Sequence, residues 1–251
     1  MNQTPNLRAT TGRPAPIFIL GSGRSGTHWL GHILRSHPAV TVTIEERPMF
    51  GWSTAMALDS RTREVLFPKL AREYRIRIDS SAGHYADKSH PNIWIAEMLA
   101  GEFPDALFVG IERGPFATVA SMLRHGGVLS WHRRWREFPV PNTFLGITEA
   151  DASGYDDLGK ATQCAMRWVT HRDRMRTLRE RLGSRLMVLS YEAIHSDPKR
   201  EATRLQRFLG LAEPFPVPEV RTGSLDKWRE ELSGEEIEQI AAVVGSIAIF
   251  G

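Results

Sequence analysis

The residues of this chain best suited to chemistry start with Arg24, Ser25, Gly26 and Thr27, inside the segment PIFILGSGRSGTHWLGHIL at 16–34. Ile17, Phe18, Ile19 and Leu20 form a short apolar run of the kind that makes a buried strand. A glycine-rich turn follows, and from Thr27 the spacing of Trp29, Leu30, Ile33 and Leu34 is that of an amphipathic helix. Strand, glycine turn and helix N-terminus together make an anion site, because unpaired backbone N–H groups point out of the first helical turn and the helix dipole favours negative charge there. The guanidinium of Arg24 adds a planar fork of donors suited to phosphate or sulfate oxygens. Farther on stand Glu45 and Glu46, and a carboxylate with an ordinary pKa near ~4.3 is ready to accept a proton at neutral pH. The combination points to a phosphorylated or sulfated ligand.

The turn fits more than one template. Gly21 and Gly26 have the separation of G-x-x-x-x-G-K-[ST], but Thr27 and His28 follow, so the lysine that reaches the outer phosphates of a nucleoside triphosphate is missing. Gly21, Gly23 and Gly26 also satisfy G-x-G-x-x-G, which wants an acid about 20 residues on at the end of the next strand. Glu45 and Glu46 end the run Val40-Thr41-Val42-Thr43-Ile44 and fill that place, so an NAD(P)-dependent oxidoreductase is an open reading. Against it stands Arg24 inside the turn, where small neutral residues would suffice.

Arg24-Ser25-Gly26-Thr27 resembles R-S-G-T, the phosphosulfate loop of the sulfotransferases, whose donor is 3′-phosphoadenosine 5′-phosphosulfate (PAPS). A second signature of that family is a strand ending in Arg, then Pro two residues later and Ser eight residues after the Arg. Arg113, Pro115 and Ser121 in ERGPFATVASMLRHG stand at those spacings. The resemblance extends from Pro16 to about Arg229. It implies an α/β, P-loop-like three-layer fold with a central parallel sheet flanked by helices, PAPS as donor, 3′-phosphoadenosine 5′-phosphate (PAP) as product, and no metal. It implies that Arg113 and Ser121 hold the ribose 3′-phosphate, that Ser25, Gly26 and Thr27 cradle the sulfuryl end with Arg24, and that His28 lies near the cofactor.

The same resemblance distributes further roles. Glu45-Glu46-Arg47 is similar to a Glu-Glu pair followed by a nearby Arg in protein-tyrosine sulfotransferases; ungapped spacing favours Glu45 as the base over Glu46. Lys88, in ADKSHPN, resembles a lysine that neutralises the bridging oxygen as the S–O bond breaks, although the Ser-His before Pro91 departs from the family's pattern. Tyr191, in LSYEAIHSDP, is implied to contact the nucleotide. Ser224 and Lys227, in SLDKWR, resemble a late loop that closes over the cofactor. Plainer readings stand beside these: a solvated acidic turn, a surface lysine, a tyrosine closing a strand, a serine helix cap. A catalytically silent nucleotide binder would keep the same pocket.

These side chains need elements to position them. Strands are expected at 16–20, 39–44, 84–86, 106–112 and 186–189, and helices at 27–36, 91–101, 115–125 and 157–182. A helical region at about 49–75 should break near Pro68. Asp197 with Pro198, and Ser233 with Glu236, are helix-start signals. Alternating strand and helix imply a parallel sheet. Arg24, Glu45, Lys88 and Arg113 then follow strand carboxyl ends, the edge where open α/β sheets bind ligands. Residues 126–156 read as irregular. Within them Trp131, His132, Arg133, Arg134, Trp135 and Arg136 are expected to form an acceptor-site lid, with a plain surface loop as the alternative. The arginines between Arg167 and Arg185 read as a solvated helix face.

Two hundred and fifty-one residues with 41% apolar content suit one α/β domain over 16–251, preceded by a flexible arm at 1–15. A net charge of +3 does not mark a nucleic-acid binder. The single cysteine, Cys164, cannot close an intrachain disulfide and reads as core. The polar N-terminus carries no signal pattern, and Ile240 to Phe250 is too short and interrupted to span a bilayer, so a cytoplasmic protein is expected. His28 and His32 lack a third ligand for a metal. The acceptor stays open among tyrosyl groups, glycans, lipids and small phenols, and oligomeric state is not legible.

Overall fold

The computed structural model describes residues 14–220 and 223–245. Five parallel strands form one sheet: β1 (Ile17–Gly21), β2 (Val40–Ile44), β3 (His84–Lys88), β4 (Leu107–Glu112) and β5 (Leu186–Ser190), in the order β2-β3-β1-β4-β5. The helices are α1 (Thr27–Arg35), α2 (Met49–Leu58), α3 (Arg63–Asp79), α4 (Ala96–Glu102), α5 (Pro115–Leu123), α6 (Gly126–Arg133), α7 (Lys160–Leu182), α8 (Tyr191–Ser196), α9 (Pro198–Leu209), α10 (Trp228–Glu231) and α11 (Gly234–Gly245). Helices cover both faces, the three-layer arrangement expected.

β1 shows why. All five of its residues are buried, and the first four alternate between two cores. Phe18 and Leu20 join Tyr74, Leu99, Phe108, Met175 and Leu178 beneath α3, α4 and α7. Ile17 and Ile19 join Leu30, Leu34, Val109, Leu205 and Leu209 beneath α1 and α9. A satellite core of Val119, Met122, Val128, Cys164 and Ile240 packs α5, α6, α7 and α11 together. Cys164 is buried there, as expected.

Several boundaries differ from expectation for physical reasons. The helical region breaks at Asp59 and runs through Pro68. Pro68 withdraws a single N–H from α3, whereas at Asp59 the backbone leaves the helical region and the carboxylate caps the next turn by accepting the Arg61 N–H at 3.0 Å. β3 extends to Lys88, although Asp87 and Lys88 are polar, because both are buried by partners from neighbouring elements. The stretch 126–156 opens with α6 and contains short 3₁₀ turns at Trp135–Glu137 and Tyr155–Asp157. Trp131 is half-buried, and His132 and Trp135 are buried, so the apolar side of this segment packs inward. Tyr191 opens α8 instead of closing β5. Arg167 departs from the expected solvated face, being 0% exposed, while Arg176, Arg179 and Arg181 farther along α7 are exposed as expected. Both start signals hold. Asp197 accepts the Arg200 N–H at 3.0 Å, and Ser233 and Glu236 exchange hydrogen bonds at 2.8 and 3.2 Å. The expected arm lies outside the described residues up to 13, and Ala15 is tied to His84 at 3.2 Å. The tail after Gly245 also lies outside them, as does Arg221.

One turn fixes how the 138–147 segment meets α7. The side chain of Asn142 donates to the Leu58 carbonyl at 2.9 Å and accepts from the Leu145 N–H at 3.0 Å. Gly146 closes the turn at φ +80°, and a Cβ there would stand 2.5 Å from the Met166 carbonyl carbon. Gly146→Ala should therefore destabilise the protein by at least about 1 kcal/mol, because both the dihedral and the backbone approach exclude a methyl group. The check is a urea midpoint that falls with an unchanged m-value.

Candidate active site

β1 delivers the chain into a turn that closes on itself. Ser25 donates from both its N–H (3.2 Å) and its hydroxyl (2.7 Å) to the Ser22 carbonyl. The hydroxyl also reaches the Ile111 carbonyl of β4 at 3.3 Å. Arg24 and Gly26 take left-handed conformations, with φ of 77° and 101°. At Gly26 a Cβ would lie 2.6 Å from the Tyr191 ring, so glycine is required there. No side chain caps α1 at Gly26, which leaves its first-turn N–H groups aimed at the space above the sheet edge. The Arg24 side chain crosses to α5 and donates through Nε to the Ser121 hydroxyl at 3.0 Å.

Beside the turn lies a compact charge cluster. Lys88 ends β3 with its side chain 1% exposed, and its ammonium pairs with Glu45 Oε1. Glu45 follows β2 at φ 49°, and its N–H donates to the Lys88 carbonyl at 2.9 Å, so backbone and side chain join the two strand ends twice. The Lys88 ammonium also donates to His28 Nδ1 at 2.8 Å. The remaining proton of His28 then sits on Nε2, which faces Glu45 Oε2 at 3.6 Å. His90 Nδ1 lies 3.0 Å from Glu45 Oε1. A carboxylate only accepts, so Nδ1 carries the hydrogen and Nε2 carries the lone pair. That Nε2 is buried without a hydrogen-bond partner among the described residues. It faces Gly23 of the turn, where a Cβ would stand 3.3 Å away.

The charges follow from these contacts. Burial works to raise the Glu45 pKa, but the His90 hydrogen bond and the Lys88 charge outweigh it and bring it down to about 2. Burial lowers Lys88 against the opposing pull of Glu45. Burial lowers His90 to about 4, assisted by the Lys88 charge. Beneath the cluster, buried Asp87 accepts from Tyr74 at 2.8 Å, Asn92 at 2.9 Å and Thr43 at 3.0 Å, which holds β3 in place. Glu46 does not join. Its carboxylate is 44% exposed and pairs with Arg77 on α3 at 3.0 Å.

On the other side of the turn, Arg113 follows β4. Its guanidinium lies 4.3 Å over the Tyr191 ring and donates to the Ser224 carbonyl at 2.9 Å, while its buried Nε has no hydrogen-bond partner among the described residues. Ser224 stands between Tyr191 (3.3 Å) and His195 (3.1 Å). Trp29 packs against both rings at 5.2 Å. A cavity of about 280 Å³ opens nearby, bordered by Ser22, Ser25, Arg113, Trp168, His171 and Glu192. Lys227 stays outside, exposed and paired with Glu231 at 2.9 Å.

Residues 16–215 match the model of a family described as the sulfotransferase family. The chain belongs to the sulfotransferase family. It is similar to nodulation protein NoeE of Sinorhizobium fredii, at 25% identity over 276 residues, covering 93% of this chain and 65% of NoeE. Among solved structures, the sulfotransferase domain from the curacin biosynthetic pathway shares the fold at a TM-score of 0.62 and 15% identity, covering 92% of this chain and 98% of that one. The sulfotransferase domain of the Synechococcus PCC 7002 olefin synthase does so at 0.58 and 18%, covering 94% and 96%. A sulfotransferase from Alicyclobacillus acidocaldarius does so at 0.54 and 16%, covering 93% and 96%. The P-loop-like fold is thus that of the sulfotransferases, and the family match sets the oxidoreductase reading aside. Among the described residues no helix is long and apolar enough to cross a membrane.

In this chain Arg24 meets Ser121, Glu45 meets Lys88 and His28, and Arg113 meets Tyr191 and Ser224. Sequence patterning does not single out His90, Trp29 or His195. The signal for His90 is its place two residues beyond the strand-end Lys88; for Trp29 and His195 no periodic signal separates them from core aromatics.

Buried neutral histidines make stability fall with acid. His90 is lowered to about 4 and His132, by burial and Arg167, to about 3. Between the ordinary value of about 6.5 and those values the unfolded chain binds more protons, so stability drops as pH falls. Urea midpoints should decline from pH 6.5 to 4.5, a window above the titration of Glu45, and His90→Gln should make the decline shallower.

Proposed function

We propose that this sulfotransferase moves a sulfuryl group from PAPS to an acceptor hydroxyl. The observation that carries this reading is that one sheet edge presents an uncapped helix N-terminus, with Arg24–Ser121 and Arg113 on one side and a Glu45–Lys88–His90 cluster on the other. A donor with a phosphosulfate and a separate ribose phosphate fits such a site. The buried, unpartnered Nε of Arg113 and the free N–H groups of α1 both ask for oxyanions. PAPS, when bound, supplies the activated sulfuryl group. Arg113 and Ser121 would hold the 3′-phosphate, and Trp29, Tyr191 and His195 would offer flat apolar surface to the base. Ser25, Gly26 and Thr27 would hold the sulfuryl end through backbone N–H groups.

Lys88 is held buried and charged by Glu45, ready to stabilise negative charge on the leaving oxygen. Removing one such donor typically costs about 100- to 1000-fold in rate. Glu45 is the base in this reading: Oε1 is clamped by Lys88 and His90, and Oε2, which His28 Nε2 approaches only to 3.6 Å, would take the hydroxyl proton. A second reading rests on a specific observation. His90 Nε2 bears an unshared lone pair beside Gly23, and Glu45, brought down to about 2, would then steady the charged imidazole. In both readings the proton enters the Glu45–His90 pair, and Glu46 takes no part.

PAP should raise the melting temperature, by about 2.7 kcal/mol of added stability at 100 times its Kd, and NAD should leave it unchanged. Arg113→Ala should abolish most of that PAP effect. Glu45→Gln and His90→Gln should each cut turnover, about 100- to 10,000-fold for the group that takes the proton, with PAP binding retained. Turnover is read as the mass gain of one sulfuryl group on an acceptor panel. Loss of activity in Glu46→Gln with Glu45→Gln and His90→Gln unaffected would overturn the assignment.

A further inference from the structure

Arg167 lies in the first half of α7 and is fully buried. All three guanidinium nitrogens lack a hydrogen-bond partner among the described residues. Its close company is aromatic, with Cζ 3.9 Å from the Phe144 ring centre and 5.0 Å from that of Trp131. Ring faces attract a cation, but they offer no acceptor in the plane of the guanidinium fork. Burial lowers the Arg167 pKa to about 9, which leaves it charged at neutral pH. Of the acids, Cys164 and Tyr155 act on it, and burial pushes both up, so neither offers a negative charge; the histidines that feel its charge, His90, His132 and His171, are lowered by it. A buried cation without an acid is among the costliest arrangements in a protein, and an arginine that only supports structure is normally met by a carboxylate or by carbonyls.

Arg167 belongs to the same space as the charge cluster. His90 lies 6.3 Å from Phe144, nearly parallel, and 6.1 Å from Trp131, so the two rings that flank Arg167 also flank the histidine bonded to Glu45. At the rim, the charges of Arg24, Glu45 and Arg167 all act on His125. The turn at Gly146 presses against Met166 and Arg167 and holds the Phe144 side of this group. Trp131, on α6, is its half-buried member, the one that solvent reaches.

We propose that Arg167 is the anchor for a carboxylate on the acceptor, so that the substrate class is a hydroxy acid whose chain or ring lies against Trp131 and Phe144. A carboxylate matches one guanidinium bidentately. A phosphate dianion would call for a second cation beside the fork, whereas what packs on the Arg167 guanidinium is the rings of Phe144 and Trp131. The inference rests on the sulfuryl-transfer reading for the hydroxyl, but the carboxylate contact can be measured without transfer.

The test uses the PAP-loaded protein and two matched pairs of probes, 4-hydroxyphenylacetate with its amide and 3-hydroxyoctanoate with its amide. Calorimetric titration gives the affinities, and kcat/KM with PAPS is measured in parallel. For at least one pair the acid should bind about tenfold or more tighter than the amide, the discrimination of a charged hydrogen bond. Arg167→Met should erase that preference while leaving amide binding and PAP affinity unchanged. Arg167→Lys, which keeps the charge without the fork, should retain part of it and serves should the Met variant fail to bind PAP. No preference in either pair, or a preference that survives Arg167→Met, overturns the proposal. Discrimination in binding without any sulfuryl transfer would count against the transfer reading and leave the subsite standing.

Discussion

The buried pair between Lys88 and Glu45 is the interaction on which the site depends. Lys88 ends a central strand with its side chain 1% exposed, a position that a cation tolerates only with a counter-charge in contact. Glu45 supplies it from the end of the adjacent strand, held there by its own N–H to the Lys88 carbonyl at 2.9 Å. Removing one member of such a pair typically costs about 3–5 kcal/mol, because the other is left buried and alone. The cluster is therefore stable only as a unit, and His28 and His90 take their tautomers from it. The same contact pulls the lysine's pKa up against its burial and helps bring the carboxylate's down to about 2.

The sheet order turns this local pair into a site. β1 lies between β3 and β4, so the glycine turn after β1 sits between Lys88 on one side and Arg113 on the other. Charged groups separated by dozens of residues are thereby divided into two flanks of one uncapped helix end. Local strain marks the same places: Arg24 and Glu45, the two described non-glycine residues with positive φ, are both at strand exits facing the turn. Such backbone costs energy and persists where surrounding structure holds it.

Much of this was legible in the sequence because strand exits are. Short apolar runs placed β1, β2, β4 and β5, and R-S-G-T with the Arg113-Pro115-Ser121 spacing picked out residues that the structure brings to one sheet edge. Ungapped spacing favoured Glu45 over Glu46 without deciding between them, and the structure gives the two different partners, Lys88 and Arg77. What was not legible depends on burial that no period encodes. β3 reads weakly because Asp87 and Lys88 are satisfied by Tyr74, Thr43 and Glu45, on other elements, and by Asn92 in the turn that follows. Arg167 looks like its arginine neighbours on α7, yet the 138–147 turn and α6 cover it. Pro68 looks like a helix break, but the chain stops one helix earlier, at Asp59.

The most direct measurement of the central claim is a crystal structure with PAP bound. It should show the 5′-phosphate on the backbone N–H groups of Ser25 to Thr27, the 3′-phosphate within hydrogen-bond distance of Arg113 and Ser121, and the Glu45–Lys88–His90 cluster intact within a few ångströms of the 5′ end. A nucleotide bound elsewhere, or bound with Arg113 and Lys88 turned to separate surfaces, would contradict it.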